Sequence, residues 1–397
     1  MENLERFLNY VKIDTQADDK TGVTPSTEKQ KDLSKLLVKE LLELGVKDAY
    51  MDEYGIVYAH IDGEGERIGL NAHIDTALEV TDTNVNPRLI KNYDGNPIKL
   101  NDLYSLTTEQ FPALKKHIGK DLVVTDGNTL LGADDKAGIA IIMSVVEYVM
   151  KHPEFKHHPL SIAFTVDEEI GEGTDHFDLN QMNADYAYTV DGGDINCIDY
   201  VNFNAQGAKF SVEGVAVHPG EGKNALINAV VLVNEFISKL PANETPYDAG
   251  EDDGFWHITS ISGTGDYAEV EMILRDFDGE KLKNRDAQLK SFANEIQAKW
   301  PKAKVKLEIV DQYENMEPYV KKDPRPVEKA IQAMKNIGLE PRSTKIRGGT
   351  DGARMSKLGL VTPNLGTGST NHHGRYEYLV VQDFEKMIEL VKEIIKK

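Results

Sequence analysis

The run "KAGIAIIMSVVEYVMKH", residues 136–152, constrains the fold more than any other stretch of the chain. It has the length and composition of a helix and is apolar on most faces, so it must be buried rather than laid on a surface. Strand-length apolar segments surround it: "GIVYAHI", "RIGLNAHID", "PLSIAFTV" and "ADYAYTV". Ahead of them "TPSTEKQKDLSKLLVKELLELG" reads as a second helix. Thr27 and Gln30 have capping-box spacing, apolar residues recur at Leu33, Leu36, Leu37 and Leu41, and Gly45 closes it. Helices alternating with apolar strands predict an α/β sheet with helices packed on it.

From about residue 207 the rhythm changes. "AKFSVEGVAV" reads as a strand, "NALINAVVLVNEFISKL" as a helix, and "WHITSISGTGDYAEVEMILRDFD" as a hairpin turning at Gly263 to Asp266. "EKLKNRDAQLKSFANEIQAKW" is another helix and "KVKLEIV" another strand, which completes the β-α-β-β-α-β order of a ferredoxin-like unit. After it, "PRPVEKAIQAMKNIG" and "FEKMIELVKEIIKK" are helices around a short strand, "LVTPNL". The expected organisation is an α/β domain in two segments, 1–206 and 319–397, interrupted by a smaller α+β domain at 207–318.

At 397 residues the chain is long for a single core, in agreement with two domains. It carries 66 acids against 45 Lys plus Arg, a formal charge of −21. Such a surface repels phosphate backbones and argues against nucleic acid and anionic membranes as partners. The single cysteine, Cys197, excludes an intrachain disulfide framework and suits a reducing compartment. "MENLERFLNYVKID" is amphipathic and acidic, unlike a signal peptide, and no apolar run approaches the roughly 20 residues needed to cross a bilayer. The expected location is cytoplasmic.

Metal-type ligands stand at five strand ends or helix starts. "GLNAHIDT" ends with His73 and Asp75, two apart and so on one face if extended. "LLGADDKAG" places Asp134 and Asp135 before the buried helix, "FTVDEEIG" supplies Glu168 and Glu169, "YTVDGG" supplies Asp191, and "GSTNHHGRYE" supplies His372 and His373. Each has an ordinary reading by itself. His73 could be a core histidine, Asp134 a helix cap, Asp191 a turn residue and the histidine pair a solvated loop. Asp167, first of the three acids, is expected to be a solvated or turn carboxylate. Together the clusters point to convergence, because the carboxyl ends of strands form the ligand crevice of an open α/β sheet. Imidazoles and carboxylates without a thiolate suit zinc, cobalt or manganese, and a bridging carboxylate would allow two ions to hold a hydroxide and polarise a carbonyl.

"HID", "GADDKAG", "TVDEEIG", "TVDGG", "HPGEGKNALINA", "LRDFD", "IRGGTDGA" and "NHHGRYE" occur in an order that resembles the co-catalytic di-zinc aminoacylase and carboxypeptidase G-type metallopeptidases, and among them the tripeptide aminopeptidases. The resemblance implies a zinc-peptidase-type mixed sheet flanked by helices, with the inserted ferredoxin-like domain serving as lid or dimerisation element. It implies two Zn2+ per subunit, with Co2+ or Mn2+ as substitutes, held by His73, Asp134 as the bridge, Glu169, Asp191 and His373. Asp75 would orient His73, and Glu168 would be the general base. His218 in "VHPG" would stabilise the developing oxyanion, and Arg275 and Arg347 would hold a substrate carboxylate. The implied reaction removes the N-terminal amino acid from short peptides, tripeptides first, in peptide catabolism, and a homodimer is the assembly implied. The alternatives are a dipeptidase or N-acyl-amino-acid amidohydrolase of the same chemistry, or a non-catalytic metal-binding protein.

Overall fold

The computed structural model describes residues 1–397. The elements that position the site are, in chain order, α1 (Gln30–Leu44), β1 (Val57–Ile61), β2 (Ile68–His73), α2 (Ala133–Lys151), β3 (Leu160–Thr165) and β4 (Tyr186–Gly192). Then follow β5 (Asn204–Glu213), α3 (Ala229–Ile237), β6 (Phe255–Gly263), β7 (Tyr267–Asp276), α4 (Gly279–Lys299) and β8 (Lys304–Tyr313). The last are α5 (Arg325–Asn336), α6 (Asp351–Leu358), β9 (Asn364–Gly366) and α7 (Val381–Ile395). The chain packs as two compact units. The larger holds Met1–Tyr200, Pro318–Thr344 and Thr350–Lys397; the smaller holds Val201–Glu317 together with Lys345–Gly349.

The larger unit is built on a seven-stranded mixed sheet whose interior order is β1-β3-β2-β4-β9. β3, β2, β4 and β9 run parallel and β1 is antiparallel to β3. Within this run His73 lies opposite Thr165, and Asn71 lies opposite Thr189. Parallel pairing brings the carboxyl ends of β2, β3 and β4 to one edge, which is why His73 and Asp191, 118 positions apart in sequence, can meet.

α2 crosses this sheet almost entirely buried, and Ile139, Ile141, Ile142, Val145 and Val146 are fully so. β-Branched residues disfavour a helix by up to about 0.7 kcal/mol each, whereas burying each contributes about 1.5–3 kcal/mol. Packing therefore wins over propensity, and the helix exists because the sheet is there. Gly138 lets it approach: a Cβ at that position would lie 1.9 Å from the carbonyl oxygen of Val190, next to Asp191. α1 ends as expected at Gly45, whose left-handed φ of 97° lets its N–H return to the last helical turn. α7 buries Phe384, Met387, Ile388, Val391 and Ile394, one face at helical spacing.

The smaller unit is a four-stranded antiparallel sheet of order β6-β7-β5-β8 with α3 and α4 packed against its core. β7 alternates buried and partly exposed residues along its length, as expected for a strand of a sheet covered on one face. Phe210 of β5 and Phe236 of α3 stack with ring centroids 3.9 Å apart at its centre. Asn228 and Asp278 cap α3 and α4 by accepting backbone N–H groups. Lys345–Ile346 pairs in parallel with Val201–Asn202, which draws residues 345–349 into this unit.

Candidate metal centre

His73 ends β2 and is 2% exposed. Its Nε2 lies 3.1 Å from Asp134 Oδ1 and 3.5 Å from Asp191 Oδ1. Asp191 lies near the end of β4, and Asp134 precedes α2 proper, since neither Asp134 nor Asp135 has helical backbone. On the other side of Asp134, Oδ2 lies 3.2 Å from His373 Nε2, which is also 3.1 Å from Glu169 Oε2. Two groups, His73–Asp134–Asp191 and Asp134–Glu169–His373, each bring three donor atoms within 4.8 Å of one another. One carboxylate belongs to both and turns a different oxygen to each. The adjacent histidines are not equivalent. His372 keeps its Nε2 2.8 Å from the hydroxyl of Ser369 and approaches Asp134 only through Nδ1, at 3.5 Å.

A layer of buried carboxylates fixes these donors. Asp75 is fully buried and accepts the backbone N–H groups of Glu168 and Glu169, both at 3.0 Å. Its carbonyl oxygen is 3.0 Å from His73 Nδ1 and its carboxylate 3.4 Å, so Asp75 touches both the imidazole and the acid pair. Asp135 accepts the N–H of His73 at 3.2 Å and of Gly138 at 3.1 Å. Glu377, also buried, accepts three N–H groups, those of Leu131, Gly132 and Asp134, at 2.8, 2.8 and 3.0 Å. Glu377 closes the same "NHHGRYE" run that drew attention to the histidines, yet its role is invisible there because its partners lie far away in sequence.

Asp167 is not the solvated carboxylate expected of it. It is fully buried at a left-handed φ of 59° and accepts hydrogen bonds from Ser26 N at 2.7 Å, Ser26 Oγ at 2.5 Å and Gln30 Nε2 at 2.6 Å. A carboxylate taken out of water requires such donors. This also corrects the reading of Thr27 and Gln30: α1 starts without a side-chain cap, because the Gln30 amide is turned to Asp167.

The electrostatics are those of an acid cluster without enough positive charge. Burial pushes the carboxyl of Glu168 well above its ordinary range, and Asp191, Asp351 and Asp75 add to the rise against the pull of His73. Burial likewise raises Glu169, with Asp134 adding to it, and raises Asp191 to about 6. Asp134 goes the other way: His372, His373 and His73 together outweigh its burial. His373 is drawn up to about 9, chiefly by Asp134. Glu169 Oε1 is buried without a hydrogen-bond partner, and no Lys or Arg pairs with either donor group. Imidazole and carboxylate donors in two sets of three, with an orphaned buried oxygen among them, fit divalent cations, which would supply the missing charge. Glu168 belongs to neither set but lies within electrostatic reach of His73 and Asp191, with its backbone N–H held by Asp75.

The remaining candidates lie in the smaller unit. His218 is exposed, and its Nδ1 accepts the N–H of Gly220 at 3.2 Å, which leaves Nε2 to carry the proton of the neutral ring. Arg275 donates through Nη1 to the carbonyls of Leu274 and Gln206, at 2.9 and 3.2 Å, and lies over Tyr313. It has no carboxylate partner. Asp276 pairs with Arg285, and Asp278 caps α4. Arg347 donates through Nη1 to the carbonyls of Gly250 and Glu251, at 2.6 and 2.9 Å, with its guanidinium over Phe203 and Phe255.

The family described as Peptidase family M20/M25/M40 matches residues 124–397, which contain Asp134, Glu168, Glu169, Asp191 and His373. The chain belongs to this peptidase family. It is 46% identical over 396 residues to Peptidase T of Clostridium perfringens strain SM101, covering 99% of this chain and 98% of that one. To Peptidase T of Shouchella clausii it is 45% identical over 397 residues, 99% and 97% of the two chains. Among solved structures it shares its fold with the aminopeptidase PepT of Bacillus cereus, at a TM-score of 0.76 and 22% identity over 99% of this chain and 97% of that one. A dinuclear metal-binding peptidase of the family from Bacillus subtilis is similar at a TM-score of 0.64 and 13% identity, over 99% and 96%. No helix is long and apolar enough to cross a membrane.

Proposed function

We propose that this chain is a di-zinc tripeptide aminopeptidase, and the observation that carries the reading is Asp134. Its two oxygens face two separate donor sets, each with one imidazole and a second carboxylate, while Glu168, outside both sets, is electrostatically coupled to His73 and Asp191. His73, Asp134 and Asp191 would hold one cation, and Asp134, Glu169 and His373 the other. When bound, the pair would polarise the scissile carbonyl and acidify a water. Glu168 takes a proton from the attacking water as its oxygen bonds to the carbonyl carbon, and returns it to the leaving amine as the C–N bond breaks. Asp75 keeps Glu168 in place by holding two successive backbone N–H groups of the acid pair. His218, with its proton on Nε2, donates to the oxyanion. Arg275, a guanidinium without a counter-anion, binds the peptide's terminal carboxylate, and Arg347 supports the same end.

Two experiments test this. Glu168→Gln removes the base while keeping shape, so the fold and zinc content should hold while kcat falls about 10²- to 10⁴-fold. Near-normal turnover would remove Glu168 from the mechanism. A dipeptide, tripeptide, tetrapeptide and N-acetyl amino acid should be assayed together with and without chelator. The tripeptide should be cleaved fastest, and chelation should abolish the cleavage. Preference for the dipeptide or the N-acyl compound would reassign the substrate, and chelator-insensitive cleavage would dispose of the metal.

A further inference from the structure

One buried carboxylate near the acid pair has no part in the mechanism above. Asp351 opens α6 and is 1% exposed. Its Oδ2 accepts a 2.5 Å hydrogen bond from the hydroxyl of Thr165, the last residue of β3, and lies 3.5 Å from the Asn71 amide of β2. Its Oδ1 is buried without a hydrogen-bond partner. That oxygen fills the space beside Gly173, where a Cβ would come within 2.3 Å of it. Thr165 and Gly173 are the two feet of the loop that carries Glu168 and Glu169 at its middle, so one oxygen of the carboxylate is hydrogen-bonded to one foot and the other is packed against the second without a hydrogen bond. The Asn71 contact extends the bracing to the neighbouring strands. Asn71 stands two residues before His73, on the same face, and its amide is 3.4 Å from the hydroxyl of Thr189, two before Asp191.

A buried carboxylate with one oxygen unsatisfied costs the fold stability, so its presence calls for a role other than stabilisation. Resting on the functional reading above, we propose that Asp351 is a positioning residue: it clamps both feet of the Glu168–Glu169 loop from beneath, as Asp75 holds its crown from within. Asp351 acts through Thr165 and Gly173.

Asp351→Ala frees the loop while leaving the His73–Asp134–Asp191 set intact. In the full-length protein kcat on a tripeptide should fall about 10- to 100-fold with KM nearly unchanged, as for outlying partners of a metal site. Independently of turnover, a cobalt(II) titration should show one equivalent bound as in the wild type. The other, which needs Glu169, should be weakened about 10-fold or more. Thr165→Val, which removes only a hydroxyl, should move both readouts the same way by less. Gly173→Ala should harm the wild type, yet harm the Asp351→Ala protein less, because the space it needs has been opened. A kcat for Asp351→Ala within about twofold of wild type with two unchanged cobalt equivalents would overturn the proposal, as would equal weakening of both equivalents together with a lowered melting temperature. If the wild type cleaves no tripeptide while Asp351→Ala still separates the two cobalt equivalents, the functional reading fails and the clamp stands.

Discussion

The two imidazoles of the metal centre are held in opposite ways. His73 is the last residue of a central strand, 2% exposed, with its other ring nitrogen against the fully buried Asp75. His373 is 41% exposed and sits in a loop at a left-handed φ of 62°, with Nδ1 3.5 Å from Glu79, which is itself 63% exposed. One half of the centre is therefore built into the sheet and the other is carried to it on a turn. Donors on rigid strands are preorganised, whereas a loop donor must be ordered when it binds. The two halves should differ in affinity and in what their loss does to the fold.

The largest effect belongs to His73. Its removal leaves Asp134, Asp191 and Asp75 facing one another in a largely buried site, so His73→Ala should reduce activity by about 10³-fold or more and lower the stability of the metal-free protein by roughly 3 kcal/mol. A variant that stays as stable as wild type would mean that the buried half is not a mutually dependent cluster. His373→Ala should also abolish turnover but leave the fold untouched and one equivalent of zinc bound. Retention of both equivalents, or loss of both, would break the distinction between the halves. His372→Ala is its control and should keep both, because that ring is turned to Ser369.

Next in size comes the support of the shared carboxylate. Glu377 accepts three backbone N–H groups of the 131–134 turn with two oxygens. In Glu377→Gln one acceptor becomes a donor, so at least one buried N–H loses its partner, at a cost of about 1–3 kcal/mol. Because the turn carries Asp134, both metal equivalents should weaken together, unlike in His373→Ala. Thermal denaturation and a zinc titration would read the two effects, and an unperturbed titration would show that the turn holds its shape without Glu377.

Much of this architecture can be read from residues alone. Apolar strands that end in acids or histidine mark the converging edge, since parallel strands must present their carboxyl ends together. The smaller unit is legible because one solvated face imposes alternation on β7. What could not be read depends on partners distant in sequence. Asp167 looks solvated beside two other acids, and only the fold brings Ser26 and Gln30 to it. Glu377 and Asp351 meet backbone or side chains 186 to 280 positions away, with no local signal for either. His372 and His373 differ by one step of a loop, and it is the backbone turn and the Ser369 hydroxyl that separate them. Residues 345–349 join the smaller unit through a two-residue strand too short to show periodicity.

The smallest predicted effect sharpens the comparison most directly. Glu79 stands behind His373 as Asp75 stands behind His73, but in water and at 3.5 Å. An exposed pair of this kind contributes about 0–1 kcal/mol, so Glu79→Gln should change kcat/KM by no more than about fivefold. The change should shrink further as salt is added, because exposed charges are screened. Asp75→Asn removes a buried carboxylate that two N–H groups and an imidazole share. It should reduce kcat by about 10- to 100-fold and resist salt, since burial shields it from the counter-ions that screen Glu79. Measured side by side across ionic strength, the two variants isolate burial as the variable. If Glu79→Gln proves as damaging as Asp75→Asn and equally indifferent to salt, the loop-borne half is as closed in the working enzyme as the strand-borne half, and their difference in exposure has no chemical consequence.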